Sequence, residues 1–193
     1  MTTTALLLID IQASFSRRPY WSEAQLPAFL ERVNALAIGC AAQGIPLVRI
    51  WHTDGPDVAD NPFAHASGCI APLAGSPDLP VAATFEKHRH SALVGTGLGN
   101  WLRAQGITHL IVCGIRTEQC CETTTRHASD EGWGVDFVAE ATLTFDMVSP
   151  QGRHLSAADL VERTETVLAG RFAQVCRVEE ALARAAAREA AHA

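Results

Sequence analysis

The chain has 193 residues, 48% of them hydrophobic and 19% charged, with a formal net charge of −6. That is enough to bury a large core in a single domain over residues 1–193, and the acidic balance excludes the basic face that a nucleic-acid or anionic-membrane binder needs. No stretch approaches the ~18 consecutive apolar residues of a membrane span, and the opening MTTTALLLID has no basic n-region of a secretory signal.

Residues 5–9 form an apolar run closed by Asp10, which predicts a buried parallel strand with a carboxylate at its C-terminal end. A polar loop with Phe15, Pro19, Tyr20 and Trp21 leads to a predicted helix over 22–43, capped by Ser22 and stopped by Gly44. Residues 45–51 predict a second strand, followed by His52-Thr53-Asp54. The segment 55–80 is rich in Gly, Pro, Asp and Ser and is long for a structureless loop, which suits a wall or lid over a site. A short strand over 81–85 runs into Glu86-Lys87-His88-Arg89-His90, and a helix over 97–105 follows. Residues 109–128, HLIVCGIRTEQCCETTTRHA, then give a strand over 110–113 and a helix to about 131. With Thr117 as the cap of that helix, Cys120 falls in its first turn, where free N–H groups and the dipole favour a thiolate. On this stretch alone Cys120 and Cys121 are equal candidates, and a buried inert thiol remains the alternative for either. Further elements are a strand over 135–138, a loop with Phe145, a helix over 156–168, a short strand over 172–175 and an amphipathic helix from Val178.

Alternating strands and helices, with about six mostly apolar strands, predict an α/β fold: a mostly parallel sheet between two helical layers. Ligands of such sheets bind beyond the carboxyl ends of the strands. That edge gathers Asp10, His52, Lys87 and Cys120. A free thiol has a pKa of about 8.5. Asp10 there can take the thiol proton, and Lys87 can hold both carboxylate and thiolate. Backbone N–H groups of Arg116 and Cys120 are placed to hold an oxyanion. The six cysteines are scattered, with no CxxC pair, so free thiols in a reducing cytoplasm are expected.

LLLIDIQ, FEKHRHSAL and GIRTEQCCETTTRHA, in this order and spacing across nearly the whole chain, strongly resemble the isochorismatase-like cysteine hydrolases, a superfamily with nicotinamidases and N-carbamoylsarcosine amidases. The resemblance implies a Rossmann-like three-layer fold and a catalytic triad of Asp10, Lys87 and Cys120. It selects Cys120 over Cys121 by the spacing from Thr117, and it places a cis peptide at Ile115–Arg116. The implied reaction is hydrolysis of an amide or ureido C–N bond through a thioester on Cys120, with no cofactor. Small-molecule substrates, no nucleic-acid or membrane partner, and a homo-oligomeric state (dimer or tetramer) go with it.

Two departures bear on substrate. Cys120 counts against the vinyl-ether hydrolysis of isochorismatases proper. His52, Asp54 and His65 lack the tight carboxylate–histidine pattern of the nicotinamidase metal site, so no metal is expected. Phe15, Trp21, Trp51, His52, His88, Glu118, Gln119 and Phe145 are the candidate substrate contacts, with Arg89 also near. His52 fits either a substrate contact or a local hydrogen bond. Arg116 suits a substrate carboxylate or, as the preferred expectation, a salt bridge at the surface or a subunit contact. A non-catalytic relative that binds a small molecule or partner, and a redox role for the Cys120–Cys121 pair, are the competing functions.

Overall fold

The structure, a computed structural model, describes residues 2–191. The first strand, β1 (Thr4–Ile9), is buried at every position. Its side chains divide by parity: Leu6 and Leu8 enter one hydrophobic cluster, Ala5, Leu7 and Ile9 the other. Successive strand residues face opposite ways, so a strand covered on both sides has no use for polar alternation. The remaining strands, in chain order, are β2 (Leu47–His52), β3 (Ala83–Lys87), β4 (His109–Ile115), β5 (Gly134–Leu143), β6 (Met147–Val148), β7 (His154–Leu155) and β8 (Gln174–Val175).

Six of them form a parallel sheet in the order β3-β2-β1-β4-β5-β8, while β6 and β7 make a small antiparallel hairpin. Helices α1 (Leu26–Ala42) and α5 (Val178–Ala191) pack on one face through Phe29, Val33, Leu36, Ala181 and Ala185. Helices α2 (Leu98–Ala104), α3 (Glu122–Asp130) and α4 (Ala157–Leu168) pack on the other through Leu98, Leu102, Ala128 and Leu168. The result is the expected αβα sandwich. Each fully buried leucine contributes roughly 1.5–3 kcal/mol of hydrophobic stabilisation.

From β1 the chain winds one way to β3 and then, through β4, the other way to β8. The reversal lies between β1 and β4, and a crevice opens outside the carboxyl ends of strands at such a point. Gly114 lets these two strands meet closely there. It has φ +133°, and a Cβ on it would lie 2.0 Å from the carbonyl oxygen of Ile9. Only glycine satisfies both conditions.

Several boundaries differ from the expectations. Helix α1 starts at Leu26 rather than at 22; the Ser22 hydroxyl instead accepts from the N–H of Ala24 in a preceding turn. Pro27 thus sits in the first helical turn, where a missing N–H costs nothing. Strand β3 is displaced toward the C-terminus, because its register pairs Val48 with Ala83 and His52 with Lys87. Lys87 is therefore the last residue of the ladder. Strand β5 runs on to Leu143, rejoining β4 at Gly114 and Ile115 beyond a bulge. The strand expected over 172–175 shrinks to Gln174–Val175.

Helix α5 is tied to the sheet by charge as well as by alanines. The buried Asp136 of β5 accepts from Arg184 Nε at 2.9 Å and Arg188 Nη2 at 2.7 Å, and His109 Nε2 of β4 lies 3.3 Å away. Burial alone would raise the Asp136 pKa, but His109 and Arg188 outweigh it and hold the pKa below its ordinary value.

Candidate active site

The site begins where β1 ends. Asp10 turns the chain sharply, with φ 53°, the only non-glycine residue at positive φ among the described residues. Aspartate is one of the few side chains that tolerate this conformation, at a cost of order 1–3 kcal/mol. The turn is fixed by Asp10 N–H to Ile50 C=O at 3.0 Å and Gln12 N–H to Asp10 C=O at 2.9 Å. Gln12 then stitches this turn to the end of β2. Its side chain accepts from His52 N–H at 2.8 Å and donates to His52 C=O at 2.9 Å and to Ser14 Oγ at 2.8 Å.

Lys87 enters from the end of β3. Its ammonium lies 2.8 Å from Asp10 Oδ2, 3.3 Å from Cys120 Sγ and 3.3 Å from His52 Nδ1. Asp10 and Lys87 are both 0% exposed and Cys120 is 6% exposed. Two charges so far from water persist only as a pair; removing one partner of such a pair typically costs about 3–5 kcal/mol. Of the four residues expected at the carboxyl edge of the sheet, Lys87 thus touches the other three.

The segment after β4 departs from the simple helix start. The Ile115–Arg116 peptide is cis. Residues Thr117–Cys121 then make a π-helical turn, closed by Cys121 N–H to Arg116 C=O at 3.2 Å, and regular helix starts only at Glu122. Thr117 is not a cap: its hydroxyl pairs with that of Thr142 at 2.7 Å. Cys120 therefore precedes α3, so Lys87 rather than the first turn of α3 is the group in contact with its sulfur. Cys121 is 0% exposed, packed in the core beneath α3.

Burial and then the Asp10 carboxylate push the Cys120 thiol up to about 12, against the opposing Lys87 ammonium. Burial likewise raises Asp10, with Lys87 opposing. For Lys87, burial favours the neutral amine, but Asp10 and Cys120 outweigh it and its pKa is raised. His52 is pushed down to about 4 by burial and by the Lys87 charge. The Cys120 thiol thus lies beside the Asp10 carboxyl group, the Lys87 ammonium and an imidazole whose charged form is disfavoured. A sulfur of this kind needs a base beside it to react, and Asp10 is there.

Cys120 opens onto a cavity of about 360 Å³, within the range of small-molecule sites. Of the expected contacts, Phe15, His52 and Gln119 line it. Five expected contacts do not. Trp21 stacks against Phe145 with ring centroids 5.2 Å apart, and Phe145 belongs to a second cavity that meets the first at Tyr20. Trp51 lies under the Arg49 guanidinium, facing a separate crevice. His88 Nδ1 bonds the Thr53 hydroxyl at 2.9 Å and faces a separate cavity, and Arg89 donates to the neighbouring His88 C=O. Glu118 pairs with Arg116 Nη2 at 3.1 Å and accepts from Thr144 Oγ1 at 2.5 Å. Arg116 is accordingly buried, 6% exposed, over the ring of Tyr20, and not at the surface.

The 55–80 segment does supply part of the remaining wall, as its length suggests, but the individual wall residues are not among the expected contacts. Arg18, Tyr20, Asn61, Phe63 and His90 all line the cavity. Asn61 and Phe63 come from the long 55–80 segment, which is an ordered wall: Asn61 Nδ2 donates to Asp54 C=O at 2.6 Å, and Asp54 N–H to Phe63 C=O at 3.0 Å. Phe63 meets Phe15 and His52 edge-on at 5.1 and 5.6 Å. Asp54 also faces the cavity, whereas His65 is turned away to pair with Glu86 at 2.6 Å. Among the described residues no group of three or more His, Cys, Asp or Glu side chains is arranged to hold a metal. No helix among them is long and apolar enough to cross a membrane.

Comparison with known proteins agrees with this architecture. Residues 4–180 match the Isochorismatase domain family. An uncharacterized isochorismatase family protein of Bacillus subtilis, YrdC, is 25% identical over 91% of this chain and 92% of its own. A streptothricin hydrolase of Streptomyces noursei is 30% identical over 74% of this chain but only 50% of its own length. The solved structure of an isochorismatase-family protein from Chromobacterium violaceum superposes with a TM-score of 0.85 at 28% identity, over 96% of this chain and 94% of that one. The chain belongs to the isochorismatase family of hydrolases.

Proposed function

We propose that this protein is a cysteine hydrolase that cleaves a C–N bond of a small amide or ureido compound through a thioester on Cys120. The observation that carries the proposal is the contact of Lys87 with both Asp10 and Cys120, beneath a small-molecule-sized cavity that Cys120 lines. Names among the relatives support the reading: a ureidoacrylate amidohydrolase of Methylobacterium radiotolerans, 23% identical over 83% of this chain, supports the bond type, and the streptothricin hydrolase supports hydrolysis.

In the proposed reaction Asp10 takes the Cys120 proton as the sulfur adds to the carbonyl carbon. Its burial-raised pKa makes it a competent acceptor, and Lys87 stabilises the thiolate left behind. The negative charge that forms on the carbonyl oxygen is proposed to be held by the backbone N–H groups of Arg116 and Cys120, a contribution typically worth about 3–4 kcal/mol. The C–N bond breaks as Asp10 returns the proton to the departing nitrogen, releasing ammonia or an amine. A water then gives its proton to Asp10 and attacks the thioester, the C–S bond breaks, and the proton returns to sulfur.

Ammonia release across a panel of carboxamides, carbamoyl compounds and ureido acids tests the proposal. The expected result is turnover of at least one class, abolished in Cys120→Ala and retained in Cys121→Ala. Equal activity in wild type and Cys120→Ala would overturn it.

A further inference from the structure

The Lys87 ammonium has three N–H donors, and the three acceptors around it, Asp10 Oδ2, Cys120 Sγ and His52 Nδ1, lie at 2.8, 3.3 and 3.3 Å. A charged lysine donates and does not accept, so where His52 Nδ1 takes the third Lys87 N–H it is the unprotonated nitrogen of the ring. A neutral imidazole carries one proton, which then sits on Nε2, at the edge of the ring turned away from Lys87. Every Lys87 donor is committed to the site itself, leaving none for a ligand. The His52 ring lines the same cavity as Cys120. Its position is unusually well held: Gln12 clamps both backbone groups, and the ring stands edge-on to Phe63 at 5.6 Å.

We propose that His52 is a fourth working member of the site, accepting the third Lys87 N–H through Nδ1 and donating Nε2–H to an oxygen of the bound substrate. The proposal rests on the hydrolase function above but concerns a residue outside the Asp10–Lys87–Cys120 set. His52 acts twice: as a positioning residue that keeps the ammonium aimed at carboxylate and sulfur, and as a hydrogen-bond donor to the ligand. Burial and the Lys87 charge hold its pKa near 4, so it keeps this one-acceptor, one-donor form at neutral pH.

Two substitutions separate the two roles. In His52→Asn the side-chain oxygen stands near the place of Nδ1, keeping the acceptor for Lys87 and losing the donor. In His52→Gln the amide NH2 stands near the place of Nε2, keeping the donor and losing the acceptor. The measurements are kcat and KM on the best panel substrate, and the rate at which iodoacetamide alkylates Cys120. The Asn variant is expected to alkylate within about twofold of wild type while its KM rises about tenfold, the worth of one lost hydrogen bond. The Gln variant is expected to alkylate about tenfold more slowly, with kcat reduced and KM nearly unchanged. Equal losses in both variants on both measurements, or no loss in either, overturn the proposal and leave His52 as packing. If wild type hydrolyses nothing on the panel, the hydrolase function fails separately, and alkylation still decides: slow Gln with normal Asn supports the Lys87–His52 bond, and equal rates refute it.

Discussion

Asp10 and Asp136 are two carboxylates with no exposure to water, each facing basic side chains, and their pKa values move in opposite directions. Asp136 is met by Arg184, Arg188 and His109, so several donors offset its loss of water and hold it ionised. Asp10 is met by a single ammonium that it shares with a thiol and an imidazole. One arrangement is over-satisfied and static, the other under-satisfied and able to take up a proton. Burial of a carboxylate says little about its use until its donors are counted.

The sharpest way to break the contrast is to neutralise each aspartate. Asp10→Asn is expected to lower kcat/KM by about 10³-fold or more, the scale of a lost proton-transfer group. Asp136→Asn should leave kcat/KM of the folded protein within about twofold, yet cost about 2–4 kcal/mol in denaturant unfolding. That is somewhat less than the full penalty for a broken buried pair, because the partly exposed Arg184 and Arg188 can turn to water. Matching activity losses in the two variants would erase the distinction.

Acid sharpens it further. The Asp136 contribution to stability is complete above its unfolded pKa, about 3.8, and is lost as pH falls through its lower folded value. Asp10, displaced upward, acts with the opposite sign: folding favours its protonated form, so its cost grows as pH rises from 3.8 through its higher folded value. Acid-unfolding curves of wild type and Asp136→Asn should therefore converge at low pH and separate above it. The smallest effect expected is at the cavity wall: Phe63→Ala removes an aromatic contact and should raise KM about three- to tenfold with kcat nearly unchanged.

Much of this molecule is legible without coordinates, for a physical reason. Strands β1 and β4 are buried on both faces, so their apolar runs are continuous, with Asp10 just past the end of β1 and Gly114 interrupting the run one residue before β4 ends. Strand ends of a parallel sheet converge, which brings Asp10, His52, Lys87 and Cys120 together before any side chain is placed. The cavity wall is another matter. Phe63 and Asn61 sit in a segment without periodicity, held by bonds such as Asp54 N–H to Phe63 C=O that no local pattern announces. Arg116 looks like a surface residue by type, and its burial depends on Glu118, Tyr20 and Phe145 arriving from three directions. Trp51 and His88 fail as wall residues because strand parity and the turn after β3 send them away from the cleft.

Mapping where a limiting amount of iodoacetamide alkylates the six cysteines tests whether Asp10 and Lys87 activate Cys120. Cys69 is the most exposed of them, being only partly buried, while the other five are buried. If exposure alone governed reactivity, Cys69 would be modified first. With Asp10 taking the thiol proton and Lys87 stabilising the sulfur, Cys120 is expected to carry most of the label in wild type and to lose that preference in Asp10→Asn. Label on Cys69 ahead of Cys120, or a Cys120 preference that survives Asp10→Asn, would contradict the account.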